Sequence, residues 1–226
     1  MLLAGLQKLT LLDYPGLVAC TVFTGGCNLR CPFCHNAALV LHPQETLTLP
    51  ALLTFLEKRR GQLDGVCLTG GEPLLHPDCK DLLTAVKALG FSVKLDTNGC
   101  FPDQLQALVA DGLVDYVAMD IKNDPAHYAE TVGLPAFDLT PVEESVRYLL
   151  TKPVPFEFRT TVVREFHDLP RLLAIAAWLG ATPAYFLQSF VDSGGLIATG
   201  LSGYTPEELE AFRAALPMER AALRGV

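Results

Sequence analysis

The 226-residue chain has no long apolar segment. Its longest uncharged apolar run, Leu172 to Ala181, falls well short of the roughly 20 residues a membrane-spanning helix requires, so no membrane association is expected. It lacks a basic patch as well. No Lys/Arg run exceeds Lys58-Arg59-Arg60, and 17 Lys+Arg face 25 Asp+Glu for a net charge of −8, which argues against a nucleic-acid partner. Met1 to Thr10 has no basic start, small-residue cleavage site or long apolar core, so no signal peptide is predicted and the chain is read as cytoplasmic. No segment is low-complexity and no fixed-period repeat occurs, which excludes fibres and solenoids. What is present is a half-apolar chain, long enough for a core that needs no staples. Its seven cysteines cannot all pair with one another, and in a reducing compartment clustered thiols point to metal binding or catalysis.

Short runs rich in Val, Ile, Phe and Thr alternate with longer stretches at helical spacing, the pattern of βα units and a parallel sheet. Six strands are predicted: Leu17–Thr24, Gly65–Thr69, Phe91–Asp96, Val114–Ile121, Val154–Val163 and Ala184–Phe190. Helices are predicted at Pro50–Arg60, Cys79–Leu89, Pro102–Asp111, Pro141–Leu150, Leu169–Leu179 and Pro206–Ala215, with start signals at Thr48 or Leu49, at Thr140 and at Thr205. Such a chain folds either as an open doubly wound sheet or as a partial barrel, and both carry their chemistry at the C-terminal ends of the strands. The unusual residues fall just there: Gly25–Asn36, Gly70-Gly71-Glu72-Pro73, Asp96-Thr97-Asn98-Gly99 and Asp120-Ile121-Lys122 follow or end successive strands and should meet on one rim.

Cys27, Cys31 and Cys34 form C-x3-C-x2-C, a spacing that chance would give about 0.007 times in a chain of this composition. Three soft thiolates within eight residues suit zinc or an iron–sulfur cluster. A Cys3His zinc site would need His35 as fourth ligand, yet adjacent residues rarely both point at one tetrahedral metal, and no second C-x2-C completes a ribbon. The alternative is a four-iron cluster held by three cysteines, which leaves one iron open to bind something. Two glycines after a strand allow close backbone approach, and the carboxylate of Glu72 can accept hydrogen bonds from an ammonium. Asp96 and Asp120, on neighbouring strand ends, would repel each other unless a cation or ammonium sat between them.

Cys27-x3-Cys31-Pro32-Phe33-Cys34 resembles the cluster loop of the radical S-adenosylmethionine (radical SAM) superfamily, and Gly70-Gly71-Glu72-Pro73 resembles its methionine-amino-binding motif. Leu95-Asp96-Thr97-Asn98-Gly99, Met119-Asp120-Ile121-Lys122 and Arg159 in Phe158–Val163 resemble strand ends of the activating enzymes for glycyl-radical proteins. The stretch from Leu9 to Gly16, with Thr21 to Asn36, is most similar to the anaerobic ribonucleoside-triphosphate reductase activating proteins. The resemblance implies an α/β fold, a partial (β/α)6 barrel forming one domain over residues 1–226, with an N-terminal extension over about 1–16 and a C-terminal tail and helix over about 191–226. It implies a [4Fe-4S] cluster on Cys27, Cys31 and Cys34 and contacts to S-adenosylmethionine (SAM) from Phe33, Gly70, Gly71, Glu72, Asp96, Thr97, Asn98, Asp120, Lys122 and Arg159. A monovalent cation beside Asp96 and Asp120 belongs to the same implied set.

The implied reaction is reductive cleavage of SAM and formation of a glycyl radical on a partner enzyme, with a flavodoxin- or ferredoxin-like protein as electron donor. No cysteine-rich insert separates the cluster loop from Gly70, so a single cluster is expected. Gln188-Ser189-Phe190 stands where pyruvate formate-lyase activators place a His. A small-molecule radical SAM enzyme, similar to 7-carboxy-7-deazaguanine synthase, an activator of a pyruvate formate-lyase-type enzyme and a zinc-binding interaction module are the rival readings. Cys20, Cys67, Cys79 and Cys100 are read as packing residues, and His42, His76, His127 and His167 as solvated or capping groups.

Overall fold

One sheet runs through the described residues, its strands lying side by side in chain order. The computed structural model describes residues 1–192 and 194–225; Ser193 and Val226, both within the predicted tail, lie outside the described residues. The six predicted strands are β2 (Ala19–Thr24), β3 (Gly65–Gly70), β4 (Ser92–Thr97), β5 (Tyr116–Asp120), β6 (Phe156–Val162) and β7 (Ala184–Ser189), parallel to one another in succession. Two unpredicted strands flank them: β1 (Leu3–Thr10) pairs antiparallel with β2, and β8 (Arg220–Arg224) pairs parallel with β7. Thus the segments expected as extension and tail each supply an edge strand. Both were hidden for a physical reason. The β1 sequence LAGLQKLT does not alternate cleanly, and RAALR in β8 is built from strong helix formers, so tertiary pairing overrides local preference in each.

The helices are α1 (Ala37–Leu41), α2 (Leu49–Lys58), α3 (Cys79–Ala88), α4 (Pro102–Ala110), α5 (Tyr128–Thr131), α6 (Thr140–Leu150), α7 (Leu169–Leu179) and α8 (Pro206–Ala215). A strand order that never reverses rules out the doubly wound arrangement. Because right-handed crossovers made in one direction place every helix on the same face, the other face must curl round on itself. The result is a partial barrel: β1 and β8 end the sheet without pairing to each other. Among the described residues no helix is long and apolar enough to cross a membrane.

Helix starts follow local chemistry. Thr48 accepts the Ala51 N–H at 3.4 Å, Asp168 accepts that of Arg171 at 2.9 Å, and Thr205 with Glu208 forms a capping box, each cap contributing on the order of 1 kcal/mol. Thr140 differs from expectation: it is already helical, and its N–H is taken by Asp138 at 3.0 Å. The apolar core lies between the outer face of the sheet and the helices. Val66, Leu68, Val93, Leu95, Val117 and Met119 alternate outward along β3 to β5 and are buried with Leu52, Leu83, Leu105, Val142 and Ile175 of the surrounding helices.

Candidate active site

The loop after β2 is locked to the turn after β3 by backbone contact. Glu72 N–H donates to Gly26 O at 2.8 Å, Gly71 N–H to Thr24 O at 2.9 Å, and Asn36 Nδ2 to Gly70 O at 3.3 Å. A Cβ on residue 71 would stand 1.8 Å from Gly26 O, and one on residue 70, where φ is +127°, would stand 2.3 Å from Thr24 N and O. Both glycines are therefore required by close packing of chain on chain.

Glu72 is fully buried. Its Oε1 accepts from Leu74 N at 3.0 Å and Thr97 Oγ1 at 2.9 Å, and its Oε2 from Asn98 N at 2.7 Å. Burial pushes its carboxyl up to about 7 even though these three donors favour the charged form. Asn98 carries the linkage on: its Nδ2 donates to Asn28 Oδ1 at 2.8 Å and stands 3.8 Å from Cys27 Sγ, while its Oδ1 accepts from Cys100 N at 3.0 Å.

Asp96 and Asp120 are bridged by Arg159, whose Nη1 is 3.2 Å from Asp96 Oδ2 and whose Nε and Nη2 each reach Asp120 Oδ1 at 3.0 Å. The repulsion expected between the carboxylates is thus answered by a guanidinium from the next strand, brought level with Asp120 by the β5–β6 register. Lys122 Nζ lies 3.0 Å from Asp120 Oδ2. Burial alone would raise both carboxyls, but Arg159 with Lys94 holds Asp96, and Arg159 with Lys122 holds Asp120, below the usual carboxylate range.

These elements enclose a cavity of about 230 Å³ at the C-terminal ends of the strands. Cys27, Cys31, Cys34, Phe33, Gly70, Gly71, Glu72, Asp96, Thr97, Asn98, Asp120, Lys122 and Arg159 all line it, so the residues singled out from the sequence are brought to one place. Burial pushes the Cys27 thiol up to about 11 and the Cys31 thiol to about 12. Among the described residues no three His, Cys, Asp or Glu side chains stand together as a single-ion site. Cys20, Cys67 and Cys79 are buried and Cys100 half-buried, none of them on the cavity wall.

Leu29, His35 and Asn36 line the cavity too, within the Gly25–Asn36 stretch expected on the rim, whereas sequence reasoning missed Val40, Thr69, Thr161 and Gln188. Thr69 and Thr161 could have been found by strand alternation, since each is on the same face as the charged positions. The histidines also depart from expectation. His167 is 1% exposed; Val163 N–H donates to its Nδ1 at 3.1 Å and its Nε2–H donates to Lys122 O at 2.8 Å, which fixes the neutral ring. That ring lies edge-on to Phe33, centroids 6.2 Å apart, and so braces the cysteine loop and the Lys122 backbone together. His76 Nε2–H donates to Gly25 O at 2.8 Å. His35 Nε2–H donates to Val191 O at 2.8 Å and its ring packs at a tilt of 41° against Phe190, centroids 5.3 Å apart, which employs that imidazole in joining the cysteine loop to the segment after β7.

The chain is 30% identical over 194 residues to a Methanocaldococcus jannaschii protein described as a glycyl-radical enzyme activating enzyme, covering 84% of this chain and 80% of the relative. It is 40% identical to the 7-carboxy-7-deazaguanine synthase of Halobacterium salinarum over 79 residues, 34% of this chain and 30% of that one. Among solved structures, Streptococcus suis SuiB superposes with a TM-score of 0.69 at 14% identity, over 91% of this chain and 48% of SuiB, a likeness of fold. The family model for the radical SAM superfamily matches residues 21–171. That span runs from β2 into α7 and holds every cavity residue from Cys27 to Thr161, and with it the chain belongs to the radical SAM superfamily.

Proposed function

We propose that this chain is an activase that uses a [4Fe-4S] cluster and SAM to place a glycyl radical on a partner enzyme, an anaerobic ribonucleoside-triphosphate reductase. The observation that carries the reading is the shared cavity: three thiols at C-x3-C-x2-C spacing face the Asp96–Arg159–Asp120–Lys122 charges across one space. The relative described as an activating enzyme, matched over most of both chains, supports the choice of a protein substrate.

The donor chemistry fits the cluster. Burial favours the protonated thiols, and a cationic cluster held there would favour the thiolates, so loading would release the protons of Cys27 and Cys31 to solvent. A [4Fe-4S] cluster would be held by Cys27, Cys31 and Cys34 and would supply the one-electron reduction of SAM on which hydrogen-atom abstraction from a glycine Cα of the partner depends. The residues of this chain bind, orient and exclude water. Lys122 presents its ammonium to the SAM carboxylate, Glu72 and the backbone of Gly70 and Gly71 take the ammonium, and Phe33, braced by His167 and Phe166, covers the adenine. Arg159 holds Asp96 and Asp120 in register with Lys122.

The test is anaerobic incubation of the iron-reconstituted protein with reductant, SAM and an anaerobic ribonucleotide reductase. A glycyl-radical doublet in the electron paramagnetic resonance (EPR) spectrum of the reductase is expected; a zinc-loaded, colourless protein with no such signal ends the proposal. Asp120→Ala keeps the cluster and loses the change in its EPR spectrum on adding SAM. A second reading draws on the local likeness to 7-carboxy-7-deazaguanine synthase: turnover of a small molecule, with SAM consumed and no partner protein present, would favour it.

A further inference from the structure

Five charged side chains form a continuous row across the inner faces of β4 to β6 and the residue after next beyond β5. Lys94 pairs with Asp96 Oδ1, Arg159 joins Asp96 to Asp120, and Lys122 ends the row on Asp120 Oδ2. The ends differ in exposure. Lys122 is 19% exposed and lines the cavity, whereas Lys94 is 1% exposed, sits two residues before Asp96 on the same face of β4, and is absent from the cavity wall. Lys94 is level with Cys67 of β3, whose Sγ is 3.8 Å from its Nζ, and with Tyr116 of β5.

Charge counting gives Lys94 its meaning. The signs alternate from positive to positive, so the row has one positive charge in excess, and a single ligand carboxylate at the Lys122 end makes it neutral. Without Lys94 the remaining four charges cancel, and the same carboxylate would leave an uncompensated negative charge in a buried setting, which is costly. That deficit is what a monovalent cation beside Asp96 and Asp120 would make good. In this chain an ammonium on β4 already does so, and all four carboxylate oxygens of the two aspartates are engaged by Lys94, Arg159 and Lys122.

We propose that Lys94 takes the place of a monovalent cation, so that this protein binds the carboxylate of SAM without one. The inference rests on the proposed reading of the cavity as a SAM site. Lys94 touches neither ligand nor cluster and is a positioning residue, acting through Asp96 and Arg159 on Lys122.

The test is SAM affinity of the cluster-loaded protein, followed by equilibrium dialysis and by the EPR change, in potassium, sodium or choline chloride at matched ionic strength. Wild type should bind with the same affinity, within about twofold, in all three salts, and Lys94→Met should lose about tenfold or more in choline and recover with potassium. Wild-type affinity that falls about tenfold in choline overturns the proposal and leaves the SAM site standing. Wild type that binds no SAM in any salt overturns both. Lys94→Met that matches wild type in every salt overturns the role of Lys94 alone. Should the variant fail to fold, the wild-type salt series still decides.

Discussion

The two faces of this sheet share one backbone and obey opposite rules. Outward, β3 to β5 present Val66, Leu68, Val93, Leu95, Val117 and Met119 to the helices, all buried and apolar. Inward, the intervening positions are Cys67, Thr69, Lys94, Asp96, Tyr116, the small Ala118 and Asp120, and β6 adds Glu157 and Arg159. Glue differs accordingly. The outer face gains from area removed from water, about 1.5–3 kcal/mol for each large side chain, and tolerates no polar atom. The inner face gains little from burial as such and persists because each charge has a partner: Glu157 is held by Arg224 at 2.6 and 3.0 Å and by Tyr116 OH at 2.9 Å, below the Lys94 to Lys122 row. The lesson is that stability sits outside the barrel and specificity inside it, so that the site can be elaborate without the fold depending on it.

Substitutions at matched thiols break the comparison most sharply. Cys31→Ala, on the cavity wall, should abolish cluster assembly outright while the apoprotein melts normally, whereas Cys79→Ala, buried at the start of α3, should keep its iron; iron analysis and visible absorbance after reconstitution separate them, and equal iron in both would erase the distinction. Next in size, Leu95→Ala on the outer face should cost about 2–5 kcal/mol in urea unfolding, since it leaves a cavity against the helices. A loss under about 1 kcal/mol would mean that the outer face is not the main source of stability.

The third effect comes from Glu72, where the inner rule is strained. Its carboxyl is pushed from 4.5 up to about 7, so between those values the folded protein holds a proton that the unfolded chain has released. The associated stability is present at low pH and is lost as pH rises through about 7, amounting to about 3 kcal/mol at 1.36 kcal/mol per unit. Urea midpoints of wild type should therefore fall across that window relative to those of Glu72→Gln, which has nothing to titrate there. Parallel curves for the two proteins would count against a protonated, buried Glu72.

Much of this contrast was legible beforehand. Val93-Lys94-Leu95-Asp96 alternates openly, and the motifs after each strand announced the rim. The six parallel strands were recognisable because their β-branched and aromatic residues agree with their final state. What could not be read were features that exist only through distant contact. RAALR gives no local sign of a strand, yet β8 delivers Arg224 to Glu157. His167 looked like a loop histidine because nothing adjacent tells that Lys122 O and Val163 N–H will close on its ring. Lys94 had a sign that went unused: two positions before Asp96 on a strand means the same face.

Gly71 and Gly26 touch so closely that neither loop has room to change alone. With a Cβ at position 71 lying 1.8 Å from Gly26 O, the cysteine loop and the turn after β3 behave as one interlocked part, although some forty residues of sequence separate them. Anyone transplanting the cysteine loop of a relative into this chain, to alter its substrate or its tolerance of air, must carry the Gly70–Glu72 turn across in the same graft.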